Sequence, residues 1–299
     1  MRVALVGASG LIGRALGAAL LQRGDSVLAL TRGGASGIPG AQDERWDPAE
    51  GPLPSDALDG VDAVVNLAGT PLSGPRWSDR RKADIVESRV RTTRLIVDAL
   101  AREGAPRVLV SGSAVGYYGP SEDEVDETAP PGDDFLATTA LDWEREAARA
   151  HEFGVRVVVV RTGIVLSLDG GALPQIARPV KAFAGGPIGG GRQWVPWIHI
   201  DDEVGIILHA LDHDDVNGAL NGTAPDVVRQ REFVKALGHV LGRPSSIPTP
   251  AAVVRLALGE QAIIALEGQR AVPRATVASG YAFRHPELGP ALADLYGRA

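Results

Sequence analysis

Alternating short apolar runs and helical patterns through the first 166 residues predict a doubly wound α/β fold with a parallel sheet. Two further features support it. The first apolar run ends in a glycine-rich turn that opens a helix. The runs are also continuously apolar, as strands buried on both faces are.

The elements follow in order. Val3 to Val6 is the first strand. The helix after it starts near Leu11 and turns Ala15, Leu16, Ala19 and Leu20 inward, and Gly24 stands where a left-handed C-cap closes it. Ser26 to Leu30 is the second strand, and Val61 to Leu67 is another. A long helix from Asp79 to Arg102 carries Val86, Val90, Val97 and Leu100 at helical spacing. Arg107 to Val110 and Val155 to Val160 complete the clear strands. After Arg161 the texture changes: Pro, Gly and isolated aromatics dominate from Gly170 to Trp197, and the chain from about Val227 is mostly helical with proline-rich joints. Trp197 to Ile200 and Ala219 to Asn221 are expected back at the sheet edge. The expected division is a dinucleotide-binding domain over 1–166, with its sheet edge completed by about 195–222. A smaller, mostly helical C-terminal substrate region takes 167–194 and 223–299.

Composition removes several function classes. The net charge of −7, with 30 basic against 37 acidic residues, offers no basic stripe for nucleic-acid phosphates. The absence of cysteine excludes disulfides, thiolate catalysis and cysteine zinc sites. The chain enters a strand at once, and no segment approaches a membrane span, so the expected location is the cytoplasm with no membrane partner. His209 and His213 lack a third ligand and read as a polar helix end, so no metal is expected. Arg76, Arg80, Arg81 and Lys82 read as a solvated helix start. No serine sits in a Gly-x-Ser-x-Gly elbow.

Gly7-Ala8-Ser9-Gly10-Leu11-Ile12-Gly13 lies in the strand-turn-helix context of a Rossmann dinucleotide fingerprint. Gly7 permits the tight turn, Gly10 admits a pyrophosphate to the backbone, and Gly13 lets the helix pack on the sheet. Ser9, Leu11 and Ile12 join these glycines where helix N–H groups and the positive dipole end meet the phosphates. The second strand ends in Leu30-Thr31-Arg32-Gly33-Gly34, with no acid for a ribose 2′-hydroxyl. Arg32, helped by Thr31, suits a 2′-phosphate, so NADP(H) is expected rather than NAD(H).

Those glycines, Asn66-Leu67-Ala68-Gly69 and Ser111-Gly112-Ser113 together resemble the extended short-chain dehydrogenase/reductases. Further segments are similar to one atypical, sugar-epimerase-like branch, the NAD-dependent epimerase/dehydratase type with a C-terminal domain of unknown function. They are Arg45 to Pro48, Ser88-Arg89, Ser113 to Gly119, Arg161 to Leu166, Gly185 to Pro187, Trp197 to Asp202, Gln269 to Pro273 and Gly280 to Phe283. The resemblance implies that Leu67, Ala68 and Gly69 line the adenosine and ribose, with Ser111 in the cofactor set. It implies that Ser113 bonds the substrate oxygen and that Thr162, Gly163, Ile164 and Val165 pass beside the nicotinamide. It also places Arg192 and Trp194 at the border of the substrate pocket, for an anionic group and a ring. His199 and Asp201 read as knitting the C-terminal region to the sheet.

One part of the family pattern is missing. The superfamily's Tyr-x-x-x-Lys pair moves a proton and holds the nicotinamide ribose. Here Phe135 and Thr139 stand at those places, and none of the four tyrosines is followed by lysine four residues on. Tyr117 or Tyr118, just past Ser113, or a water held by Ser113, is then the expected proton carrier. Two functions stay open: an NADP(H)-dependent oxidoreductase or epimerase-like enzyme for a small polar substrate, and a non-catalytic NADP(H)-binding sensor. A homodimer is also left open.

Overall fold

The computed structural model describes residues 1–297. The chain runs β1 (Arg2–Val6), α1 (Leu11–Gln22), β2 (Ser26–Thr31), β3 (Gln42–Arg45), β4 (Ala63–Asn66), α2 (Asp79–Leu100), β5 (Val108–Ala114) and a 3-10 turn at Val115–Tyr118. It continues through β6 (Ser121–Val125), α3 (Phe135–Ala148), β7 (Arg156–Thr162), β8 (Ile164–Leu166), α4 (Leu173–Lys181), β9 (Trp194–Val195), β10 (Trp197–His199), α5 (Ile200–Asp212) and β11 (Gly218–Gly222). The rest is β12 (Val228–Arg229), α6 (Gln230–Leu241), α7 (Ala251–Leu258), α8 (Ile263–Leu266), β13 (Gln269–Ala271), α9 (Arg274–Ala278) and α10 (Leu288–Leu295).

Seven strands form one parallel sheet in the order β11-β7-β5-β4-β1-β2-β3. The chain winds outward from β1 in one direction and returns to wind outward from β4 in the other. That reversal opens a crevice at the carboxyl ends of β1 and β4, where ligands of such sheets bind. Alternation along β1 sends Val3 and Leu5 into a core with Leu16 and Leu20 of α1 and Ile206 and Ile207 of α5. Ala4 and Val6 point to the other face, packing with Ile96, Val97 and Leu100 of α2. A separate core, with Leu173, Trp197, Phe233, Leu237 and Leu292, holds α4, α6 and α10 together in the C-terminal part.

Three sequence expectations change. β3 is an edge strand reading Gln-Asp-Glu-Arg, almost wholly exposed, so no apolar run announces it. Trp197 to Ile200 does not return to the main sheet edge: β10 pairs with β8 in a two-stranded sheet of its own, and Ile200 already starts α5. Gly163 causes the departure. Its N–H donates to Gly222 O at 2.9 Å, while the next N–H, of Ile164, donates to Pro196 O at 2.7 Å. The edge of the main sheet is instead β11, beside β7. The basic cluster before α2 is also not a solvated start. Arg76 caps the carboxyl end of α7 through Leu256 O and Ala257 O, Arg81 reaches Pro71 O, and Lys82 pairs with Glu260. No helix among the described residues is long and apolar enough to cross a membrane.

Candidate functional site

The glycine loop closes on itself where β1 ends. Gly10 N–H donates to Gly7 O at 3.0 Å. Gly7 has φ +83°, and a Cβ there would stand 2.7 Å from the Leu67 carbonyl carbon, so only glycine lets the loop pass the end of β4. A Cβ on Gly13 would collide with the Gly7 carbonyl. Gly10 is the N-cap of α1 and brings no capping side chain, so the N–H groups of Leu11, Ile12 and Gly13 lack intrahelical acceptors. Ser9 and Gly10 are exposed beside them. At the end of β2, Thr31 Oγ1 is buried without a hydrogen-bond partner among the described residues, and Arg32 is exposed. An uncapped positive helix end, an orphaned hydroxyl and an open guanidinium fit a dinucleotide with a 2′-phosphate. A cavity of about 460 Å³ opens alongside, between Leu11 and Arg14 of α1 and Ser167 and Asp169 after β8.

β4 brings the next residues. Leu67 N–H donates to Val6 O at 2.9 Å, and Ala68 N–H to Asn66 Oδ1 at 3.2 Å, which fixes the turn to the exposed Gly69. Ser111, on β5, is fully buried, and its hydroxyl turns to Gly112 O at 3.2 Å.

At the ends of β5 and β7 the polar groups bond one another. Ser113 Oγ donates to Glu144 Oε1 at 2.6 Å. Glu144, on α3, accepts two bonds from Arg161, at 2.9 and 2.8 Å. Arg161 Nη1 also donates to the Tyr118 hydroxyl at 3.0 Å, which in turn donates to Asn221 Oδ1 at 2.7 Å. Burial opposes the charge on Arg161, but Glu144 and Tyr118 outweigh it and raise its pKa. Burial pushes the Tyr118 phenol up to about 12, against the smaller pull of Arg161. Tyr117 is different. Its ring lies under the Arg161 guanidinium at 3.5 Å, and its hydroxyl has no hydrogen-bond partner among the described residues.

Behind β7, Thr162 Oγ1 donates at 2.6 Å to Glu203 Oε1 of α5. Glu203 is fully buried, its Oε2 has no partner among the described residues, and burial raises its pKa to about 7. Gly163, Ile164 and Val165 follow Thr162 across the gap to β8.

Trp194 lies on the strand pair β9–β12, and Arg192 lies two residues before it in the preceding loop. Trp194 is stacked at 3.6 Å by Arg229 and faced at 5.2 Å by Arg270, and Arg229 also takes the Arg192 carbonyl. Among the described residues no hydrogen bond or ring contact joins either residue to Ser113, Tyr117 or Tyr118. His199 knits to the C-terminal segment by stacking on His285 at 3.8 Å, with Asp294 3.4 Å from its Nε2. The ligand atoms of His199, Asp201 and His285 come within 4.8 Å of one another. The His199 Nδ1 atom, however, accepts the Asp201 N–H, and stacked rings aim their nitrogens along neighbouring planes rather than at one point.

Glu144, Asn221 and Glu203 have no role in the sequence reading, and Arg89 and Arg161 have none beyond their motifs. One signal was there. Arg161 ends a run of buried valines, and a charge in a core position requires a partner.

Comparison with known proteins agrees with this architecture. The model of the NAD dependent epimerase/dehydratase family matches residues 3–221, and that of a domain of unknown function, DUF1731, matches 249–295. The human epimerase family protein SDR39U1 is 42% identical over 303 residues, covering 99% of both chains. The chloroplastic SDR39U1 homolog of Arabidopsis thaliana is 41% identical, covering 98% of this chain and 86% of that one. The crystal structure of human SDR39U1 with NADPH superposes with a TM-score of 0.91 at 40% identity over the whole of both chains. With most of its length matched by the family model and by relatives above 40% identity, the chain belongs to the NAD dependent epimerase/dehydratase family.

Proposed function

We propose that this chain binds NADP(H) and uses it as an oxidoreductase or epimerase-like enzyme on a small polar substrate, with Tyr117 as the proton carrier. The observation that carries the cofactor half is the uncapped start of α1 beside a β2 end that offers Thr31 and Arg32 and no acid. The human relative crystallised with NADPH supports it. Leu67 to Gly69 would flank the ribose, and Thr162 to Val165 would pass the nicotinamide. NADPH, when bound, would supply hydride chemistry at a carbonyl carbon, and the protein would then have to supply a proton to the oxygen. Tyr118 is ill suited, since its hydroxyl is held between Arg161 and Asn221. The Tyr117 hydroxyl has no hydrogen-bond partner among the described residues, and Tyr117 is three residues past the end of β5. The Ser113 hydroxyl donates its hydrogen bond to Glu144, so its oxygen lone pairs are left to accept a bond from a substrate hydroxyl.

The same bonding favours a second reading, a non-catalytic NADP(H) sensor, because Ser113 and Tyr118 are satisfied without any substrate. Fluorescence titration of NADPH and NADH, on the wild type and Arg32→Ala, tests the shared part. NADPH is expected to bind at least tenfold tighter, and the variant to lose that margin, about 1.4 kcal/mol. Equal binding of NADH defeats the assignment of Arg32. Oxidation of bound NADPH by a member of a carbonyl panel then favours the enzyme. Tight binding without turnover, coupled to a change of assembly, favours the sensor.

A further inference from the structure

Two aromatic rings stand at the β4–β5 end of the crevice, one from each flank. Trp77 comes from the loop between β4 and α2, and Phe135 opens α3, beyond β5 and β6. Both are half-buried, and their rings meet edge to face with centroids 5.2 Å apart. The start of α3 is joined to the turn that carries Tyr117. Gly132 N–H donates to Tyr117 O at 2.9 Å, and Leu136 Cβ is 3.3 Å from where a Cβ on Gly116 would stand. The ring pair therefore borders the turn that holds the proposed proton carrier.

The rings are fixed by bonds that consume the polar atoms around them. Trp77 Nε1 donates to Leu72 O at 3.0 Å, and Gln261 Nε2 donates to the same oxygen at 2.7 Å. Arg76 donates to Ala257 O at 2.9 Å, which ties this loop to α7. Lys82, 5.5 Å from the Phe135 centroid, is paired with Glu260. The polar side chains next to the rings are spent on their own helices. Ser78 Oγ accepts from Arg81 N–H at 3.2 Å, and Asp134 Oδ1 from Ala137 N–H at 2.8 Å. Thr138 Oγ1 donates to Asp134 O at 2.9 Å, and Thr139 Oγ1 to Phe135 O at 2.6 Å.

That distribution decides which substrates fit. A sugar or sugar nucleotide carries many hydroxyls, and each one buried without a partner is costly. Trp77 and Phe135 present ring carbons instead. Half-open aromatic surfaces suit a planar apolar ring, which gains from stacking or edge contact as well as from leaving water. We infer that the substrate is an aryl ketone or aldehyde, its ring against Trp77 and Phe135 and its carbonyl toward Tyr117 and Ser113. Such a molecule is small and polar at one end only. The inference rests on the enzyme reading proposed above and narrows its substrate.

The test needs no turnover, because NADP+ cannot reduce a ketone. Protein saturated with NADP+ is titrated calorimetrically with acetophenone, cyclohexyl methyl ketone, acetone and UDP-glucose. Acetophenone is expected to bind at least about tenfold tighter than acetone and about threefold tighter than cyclohexyl methyl ketone. UDP-glucose is expected not to bind. Trp77→Gln and Phe135→Asn are each expected to lose about fivefold or more on acetophenone. Their NADP+ affinity should stay within about twofold of the wild type, which reports that they fold. Phe135→Leu, which keeps an apolar side chain, should lose less. Cyclohexyl methyl ketone or UDP-glucose binding as tightly as acetophenone overturns the inference. So does unchanged acetophenone affinity in variants that still bind NADP+. A wild type that binds NADP+ and none of the four compounds also overturns it, and oxidation of its bound NADPH by a non-aryl carbonyl leaves the enzyme reading standing. A wild type that binds no NADP+ overturns both.

Discussion

The two ends of the crevice are built in opposite ways. Around β1, α1 and β2 the polar groups lack protein partners: the first N–H groups of α1, Thr31 Oγ1 and the Arg32 guanidinium all face outward or stand orphaned. Around β5 and β7 the polar groups have each other, in the chain Ser113, Glu144, Arg161, Tyr118, Asn221. Both ends lie on the same sheet, so the difference is one of chemistry rather than scaffold. Groups left without partners in a folded protein are stabilised when a ligand arrives, whereas a closed network stabilises the fold itself and resists rearrangement. Any reaction at the second end must draw on what the network leaves free, the Tyr117 hydroxyl and the lone pairs of Ser113.

The sharpest way to break that contrast is to cut the network at its centre. Arg161→Met leaves Glu144 enclosed without a counter-charge, and is expected to cost about 3–5 kcal/mol of unfolding free energy. The double variant Arg161→Met/Glu144→Gln is expected to recover a large part of it. Arg32→Ala, at the open end, is expected to stay within about 0.5 kcal/mol of the wild type. Equilibrium urea unfolding measures all three. A loss under about 1 kcal/mol for Arg161→Met would mean that the second end is no more committed to the fold than the first.

Glu203 sharpens the comparison from beneath. It is the fully buried carboxyl behind Thr162, with one oxygen unpartnered, and its pKa in the fold is about 7 against a usual 4.5. The folded chain thus holds a proton that the unfolded chain releases between about pH 4.5 and 7. The neutral carboxyl stabilises fully below that window, and the benefit is lost as the pH rises through it. Glu203→Gln stays neutral throughout. Relative to this variant, the wild type is expected to lose on the order of 3 kcal/mol between pH 4.5 and pH 8.5. Subtracting the two proteins removes the acid-side losses of Asp25 and Glu146, whose pKa values are lowered despite partial burial, Asp25 by the N-terminal ammonium and Arg23 and Glu146 by Arg94 and Arg149. A difference that does not vary with pH would place solvent or a further partner at Oε2.

The open end is legible in the sequence because its requirements are local. A tight turn at Gly7, a close approach at Gly13 and the residue type at the end of β2 are all set within a few positions of one another. The closed end depends on contacts that spacing does not encode. Ser113 meets a residue 31 positions away, and Tyr118 meets Asn221, 103 positions away, only because β11 lies beside β7. The same limit explains Trp197 to His199, whose apolar character marks a strand but not its partner β8. β3 escaped for the opposite reason, since an exposed edge strand needs no apolar pattern. Arg89 was visible as part of a motif, but its surroundings, Gly69 and Thr70 on one side and Trp143 on another, come from two other stretches of the chain.

The smallest expected effect on stability is the most informative about function, because Tyr117 and Tyr118 are neighbours that belong to different parts of the contrast. Tyr118→Phe removes a hydroxyl that both accepts from Arg161 and donates to Asn221, leaving two buried groups without that partner, at a cost of about 1–3 kcal/mol. Tyr117→Phe keeps the ring beneath Arg161 and removes a hydroxyl that has no hydrogen-bond partner among the described residues, so stability should change by less than about 0.5 kcal/mol. If Tyr117 moves the proton, that same variant should lose about 10²-fold or more in kcat on an identified substrate, with NADPH affinity unchanged. A Tyr117→Phe protein that turns over at the wild-type rate removes the phenol from the mechanism. The water held by Ser113 is then the remaining carrier, and Ser113→Ala becomes the variant that must lose turnover.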